Sequence, residues 1–129
     1  MDTGAGWVVL VVDDDFCVRE SIQLLLSSQA SAQVLSADGV TQACDFLAAH
    51  HIDVLIADVL LVGPKSGIDF AHITEQMQPN AAILIVSADA RNEMANFPAR
   101  AIFLRKPFGS EKLLHAIKQA RAQVTACTR

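Results

Sequence analysis

Asp53-Val54-Leu55-Ile56-Ala57-Asp58 is the stretch that decides the fold. Four apolar residues, two of them β-branched, lie between two acids. A short run of this kind reads as a buried strand. Strands with no polar face are typical of parallel sheets covered on both sides. Asp58 then stands at the carboxyl end of its strand, the edge where open α/β sheets place their ligands. Taken alone, Asp58 is better explained as a loop cap, because Asp is common after strands. It gains weight because three more apolar runs end in polar groups: Asp13-Asp14, Ser87 and Lys106.

Working outward, apolar runs at 7–12, 82–86 and 101–105 are further strands, and 33–37 is a weaker one. Between them the spacing is helical. Val18, Ile22, Leu25 and Leu26 share one helix face, with Asp15 placed to cap its start. Val40, Ala43, Cys44 and Leu47 follow an i, i+3, i+4, i+7 pattern after the Asp38-Gly39 turn. Ile68, Ala71 and Met77, with Phe70 and Ile73 beside them, form a third helix that Pro79 stops. Pro98 confines a fourth, short helix to about 90–96. Leu113, Leu114, Ile117 and Val124 line the last one, which begins near Gly109 or Ser110. Five β–α units with short connections predict a single parallel sheet with helices on both faces.

Length and composition agree with one domain over 1–129, with a core of about 7–122. The chain has 129 residues, 52% of them hydrophobic and 19% charged, enough for one sizeable core. A formal net charge of −4 argues against direct binding to nucleic acid, which needs a clustered basic surface. The N-terminal residues lack the basic start of a signal peptide, and no apolar run reaches the length of a membrane span. A cytoplasmic protein is the expectation. Cys17, Cys44 and Cys127 show neither metal nor redox spacing, so reduced thiols are expected, with Cys17 and Cys44 as small core or boundary residues. His50 and His51 are adjacent, point to different helix faces, and read as surface residues.

The strand ends carry the chemistry. Several carboxylates in one cleft repel one another. A hard divalent cation and the Lys106 ammonium relieve that repulsion, and Mg²⁺ suits a site with few carboxylates that must also accept a phosphoryl oxygen. A carboxylate is a competent phosphoryl acceptor. Cation and lysine then offset the charge that spreads over the transferring group, and the Ser87 hydroxyl is placed to bond it.

Val11-Val12-Asp13-Asp14-Asp15, Ile56-Ala57-Asp58, Ile85-Val86-Ser87-Ala88 and Leu104-Arg105-Lys106-Pro107-Phe108 together resemble the CheY-like receiver domain of two-component response regulators. The resemblance implies a flavodoxin-like, doubly wound sheet of order 2-1-3-4-5. It implies Asp58 as phosphoacceptor and Lys106 as phosphate partner. Ser87 and Phe103 become the switch pair. Mg²⁺ would be held by Asp58, Asp14 directly, Asp13 largely through water, and the backbone carbonyl of Leu60. The peptide bond before Pro107 is expected to be cis. The implied partner is a histidine kinase or histidine phosphotransfer protein, with an unknown downstream protein target; a homodimer is left open. The chain departs from the family's commonest pattern at Val62, where proline is usual, at Leu60, often polar, and at Phe103, more often tyrosine. These bear on phosphoryl lifetime and output.

Two other classes compete. A small Mg²⁺-dependent phosphatase or phosphotransferase would usually carry a second acid two positions after its nucleophile and a cap region. Leu60 stands at that position, and the length leaves no room for a cap. A binding domain that has lost phosphorylation would not need the acids and Lys106. The expected function is therefore a phosphorylation-controlled signalling module, not an enzyme acting on other molecules.

Overall fold

The described residues hold five parallel strands and four helices, which alternate as far as the fourth strand; the fifth strand and the last helix follow. The structure, a computed structural model, describes residues 7–29, 32–59, 66–88, 98 and 100–127. In chain order they are β1 (Val8–Val12), α1 (Phe16–Gln29), β2 (Gln33–Ala37), α2 (Val40–Ala49), β3 (Val54–Asp58), α3 (Gly67–Met77), β4 (Ala82–Ser87), β5 (Ile102–Arg105) and α4 (Ser110–Cys127). The sheet order is β2-β1-β3-β4-β5, all parallel, as expected. The short helix expected over 90–96 lies outside the described residues, as does Leu60.

Side-chain alternation divides the apolar residues into two cores. Val9, Val11, Val54, Ile56, Leu84 and Val86 face α1 and α4. Leu10, Val12, Leu55, Ala57, Ile83 and Ile85 face α2 and α3. Every residue of β3 and β4 is buried, because each strand has a strand on both sides and helices on both faces. β2 and β5 are the edges, and most of their residues are only half-buried. The weak apolar signal at 33–37 reflects that edge position.

Local chemistry sets the helix starts. The Asp15 carboxylate accepts the Cys17 N–H at 2.9 Å, the cap expected for α1. Ser66 and Asp69 form a reciprocal capping box at the start of α3. One expectation fails: Cys17 is exposed. The inward stripe of α1 runs through Val18, Ile22 and Leu26, and position 17 is turned away from it. Cys44 is half-buried, as expected. His50 and His51 are exposed, with His51 Nε2 lying 3.3 Å from Asp53 Oδ1.

At the edge of the sheet opposite Asp58, Gln78 works as a latch. Its side-chain oxygen accepts the Ile52 N–H at 2.7 Å, and its amide donates to the Leu47 and His50 carbonyls at 2.9 and 2.8 Å. Three elements, α2, β3 and α3, are tied at one point. The Asp53 carboxylate accepts the Val8 N–H at 2.8 Å on the same edge and so fixes the start of β1.

Candidate functional site

The ladders carry their register to the end of each strand. Val12 pairs with Ala37 and Ala57, Asp58 with Val86, and Ser87 with Arg105. Three further backbone bonds extend the ladders past the strands: Asp13 N–H to Ala37 O (3.1 Å), Val59 N–H to Val86 O (3.0 Å) and Lys106 N–H to Ser87 O (2.9 Å). Parallel strands ending in register place Asp13, Asp14, Asp58, Ser87 and Lys106 along one edge.

The acids meet there. Carboxylate oxygens of Asp13, Asp14 and Asp58 lie within 4.8 Å of one another. Asp13 and Asp58 are buried, and Asp14 is exposed. Lys106 reaches in from the end of β5, its Nζ donating to Asp13 Oδ2 at 2.9 Å and to Asp58 Oδ2 at 3.0 Å. Burial alone would lower the lysine pKa. The hydrogen bonds and charges of Asp13 and Asp58 outweigh it, and the net shift is upward from 10.5. Three carboxylates set against one ammonium give the cleft an excess of acidic groups. Oxygen donors in that excess fit a hard divalent cation.

Both oxygens of Asp13 are engaged, Oδ2 by Lys106 and Oδ1 by the Asp15 N–H at 2.9 Å. Asp14 is therefore the more open carboxylate of the pair. Ser87 is buried at the end of β4, one residue beyond the partner of Asp58. Phe103 is half-buried, paired in register with Ile85, and packs on the core shared with α2 and α3. The Lys106–Pro107 peptide bond is cis.

Two contributors to this geometry were not singled out in the sequence. Arg19 donates from Nη1 to the Asp13 backbone carbonyl at 2.7 Å, while its guanidinium lies 5.6 Å from the centre of the Phe16 ring. It ties the first turns of α1 back to the acidic turn. The available signal was a cation four residues beyond the Asp15 cap. Gly67, read only as the end of a loop, lies directly against the backbone of Asp58. A Cβ added there would stand 1.8 Å from the Asp58 carbonyl oxygen. Nothing in the chain around Gly67 announces a partner nine positions away.

Comparison with known proteins follows the same lines. Residues 9–118 match the family model of the response regulator receiver domain. The response regulator MprA of Mycobacterium avium is 36% identical over 110 residues, covering 82% of this chain and 47% of that protein. The sensory transduction protein LytT of Bacillus anthracis is 27% identical over 117 residues, covering 89% and 47%. The chain thus spans about half the length of the curated relatives it matches. Among solved structures, a response regulator receiver protein from Sinorhizobium medicae superposes with a TM-score of 0.84 at 23% identity, covering 92% of this chain and 97% of that one. A receiver domain from Clostridium thermocellum gives 0.77 at 25% identity, covering 94% and 98%. The ordered sheet edge, the three clustered acids with their lysine, and a family match across most of the chain lead to one assignment: the chain belongs to the response regulator receiver domain family.

Proposed function

We propose that this receiver takes a phosphoryl group onto Asp58 from a phosphohistidine of a partner histidine kinase or phosphotransfer protein. The carrying observation is Lys106 held between Asp13 and Asp58 at the edge where all three acids meet. An Asp58 carboxylate oxygen attacks phosphorus, the P–N bond to the donor imidazole breaks, and an acyl phosphate forms. Lys106 Nζ, already within 3.0 Å of Asp58, is placed to pair with the incoming phosphoryl oxygens. The Ser87 hydroxyl bonds the transferred group, and Phe103 follows by repacking between strand and helix, which changes the binding surface.

Mg²⁺ is the proposed cation, because it binds through few carboxylates and keeps waters. Asp14 and Asp58 would hold it directly, Asp13 largely through water, and the Leu60 backbone carbonyl would complete the protein ligands. The engagement of both Asp13 oxygens supports that division. When bound, the cation neutralises charge on the transferring phosphoryl oxygens. The covalent chemistry is confined to this domain's own phosphorylation and dephosphorylation, in the cytoplasm. A net charge of −4 favours output through protein contact, including a homodimer, over direct contact with nucleic acid.

Asp58→Asn tests the acceptor, since the amide is nearly isosteric but a poor nucleophile. With phosphoramidate and Mg²⁺, the wild type should gain one hydroxylamine-sensitive phosphoryl group by mass spectrometry, and Asp58→Asn none. Equal modification of both proteins would remove Asp58 from its role.

A further inference from the structure

We infer that Arg19 is a positioning residue for the cation site: its guanidinium holds the peptide plane between Asp13 and Asp14 and so aims the Asp14 carboxylate into the cleft. The inference rests on the proposed cation site. Arg19 donates from Nη1 to the Asp13 carbonyl at 2.7 Å. That carbonyl and the Asp14 N–H belong to one rigid peptide plane, so a bond at one end fixes where the next Cα lies. Carboxylate oxygens of Asp13, Asp14 and Asp58 stand within 4.8 Å of one another. Among the described residues, the Asp14 carboxylate accepts no hydrogen bond and forms no ion pair. Its place in the cleft is therefore set from its backbone.

Asp13 is held at its other polar groups. Its N–H donates to the Ala37 carbonyl at 3.1 Å, Oδ1 accepts the Asp15 N–H at 2.9 Å, and Oδ2 accepts from Lys106 at 2.9 Å. The carbonyl is what remains, and Arg19 takes it. Arg19 is steered in its turn. Its N–H donates to the Asp15 carbonyl at 3.1 Å in the first turn of α1, and its guanidinium lies 5.6 Å from the centre of the Phe16 ring. Phe16 is 61% exposed, and a cation over its face accounts for an aromatic side chain left in solvent. A planar guanidinium can rest on a ring and donate along its own edge at once. The whole path, from ring to guanidinium to carbonyl to Asp14, runs within residues 13–19. Charge cannot be the benefit to the cation. A guanidinium beside the acidic turn repels an incoming cation, so its charge alone weakens binding. Positioning and charge thus give opposite signs for the loss of Arg19.

Arg19→Met in the full chain is the test, because it keeps an unbranched stem and removes donor and charge. Arg19→Lys stands beside it, with Gln78→Ala at the opposite edge of the sheet as a control for lost stability. Arg19→Met should weaken Mg²⁺ binding, measured by calorimetry, by about tenfold to a hundredfold, the range for losing a group that orients a metal ligand. Arg19→Lys keeps a donor and should bind Mg²⁺ more tightly than Arg19→Met. Gln78→Ala should lower Tm while keeping wild-type affinity. An Arg19→Met protein that binds Mg²⁺ as tightly as wild type, or more tightly, would overturn the inference. So would weaker binding by Arg19→Lys than by Arg19→Met, the order that charge alone gives, or an equal loss in Gln78→Ala. If Arg19→Met does not fold, the wild type still answers. The NMR signals of the Arg19 guanidinium should show restricted rotation without Mg²⁺ and should move at saturating Mg²⁺. Free rotation, or signals blind to saturating Mg²⁺, overturns the inference equally. A wild type that binds no Mg²⁺ would overturn the proposed cation site itself, whereas unchanged affinity in Arg19→Met overturns only the role of Arg19.

Discussion

Lys106 links the charge of the cleft to the stability of the fold. Its pKa is raised in the folded protein, so the ionised lysine stabilises the fold fully below the ordinary value of 10.5. That contribution is lost as pH rises through the higher folded value. Wild type should therefore lose stability in an alkaline step above pH 10.5 that Lys106→Met lacks, measured by urea unfolding across pH. At neutral pH, Lys106→Met leaves two buried carboxylates without their ammonium and should cost about 1–3 kcal/mol. An unchanged urea midpoint at pH 7 would mean that the two contacts contribute nothing net. Asp13 shows why residue type alone assigns roles poorly. It and Asp14 are neighbours in the chain, yet one is buried under Lys106 and the other is exposed.

Among the elements, α3 serves two edges of the sheet at once. Its first residue lies on the acceptor's backbone, and Gln78, just past its last turn, holds α2 and β3 together. Gln78→Ala removes three hydrogen bonds and leaves the Ile52 N–H without that acceptor, a loss of about 1–3 kcal/mol in denaturant unfolding. A loss below a few tenths of a kcal/mol would show that water replaces the amide at no cost. The helix itself was legible from Ile68, Ala71 and Pro79, because amphipathic spacing and a proline stop are local signals. Its two tertiary attachments were not, since a glutamine in a helix end and a glycine before a helix look alike wherever they occur.

For the whole molecule, the fold gathers three acids on one edge and so carries a built-in repulsion. Asp14→Ala should raise the Tm of the metal-free protein, because it removes one of the clustered charges without opening a core cavity. It should also blunt the response to Mg²⁺. Cation binding to the folded state alone stabilises wild type by about 2.7 kcal/mol at a hundred times Kd. Thermal scans with and without Mg²⁺ should therefore show a lower starting Tm and a larger rise for wild type than for Asp14→Ala. Equal rises in the two proteins would take Asp14 out of the cation site.

What the sequence determined by itself was the order of elements and the composition of the edge. Continuous apolar runs ended by Asp13, Asp58, Ser87 and Lys106 require a parallel sheet covered on both faces, and a parallel sheet brings its strand ends together. That inference needs only periodicity and chain direction. What the tertiary structure decided was which atoms touch. Lys106 spans to Asp13 and Asp58 across separations of 93 and 48 residues, Arg19 turns back to a backbone carbonyl, and Gly67 leaves room for the acceptor's own carbonyl. Each depends on distances between elements, set by how the two cores pack. Hydrophobic pattern specifies which face is buried, but backbone approach is fixed only once the helices have settled on the sheet.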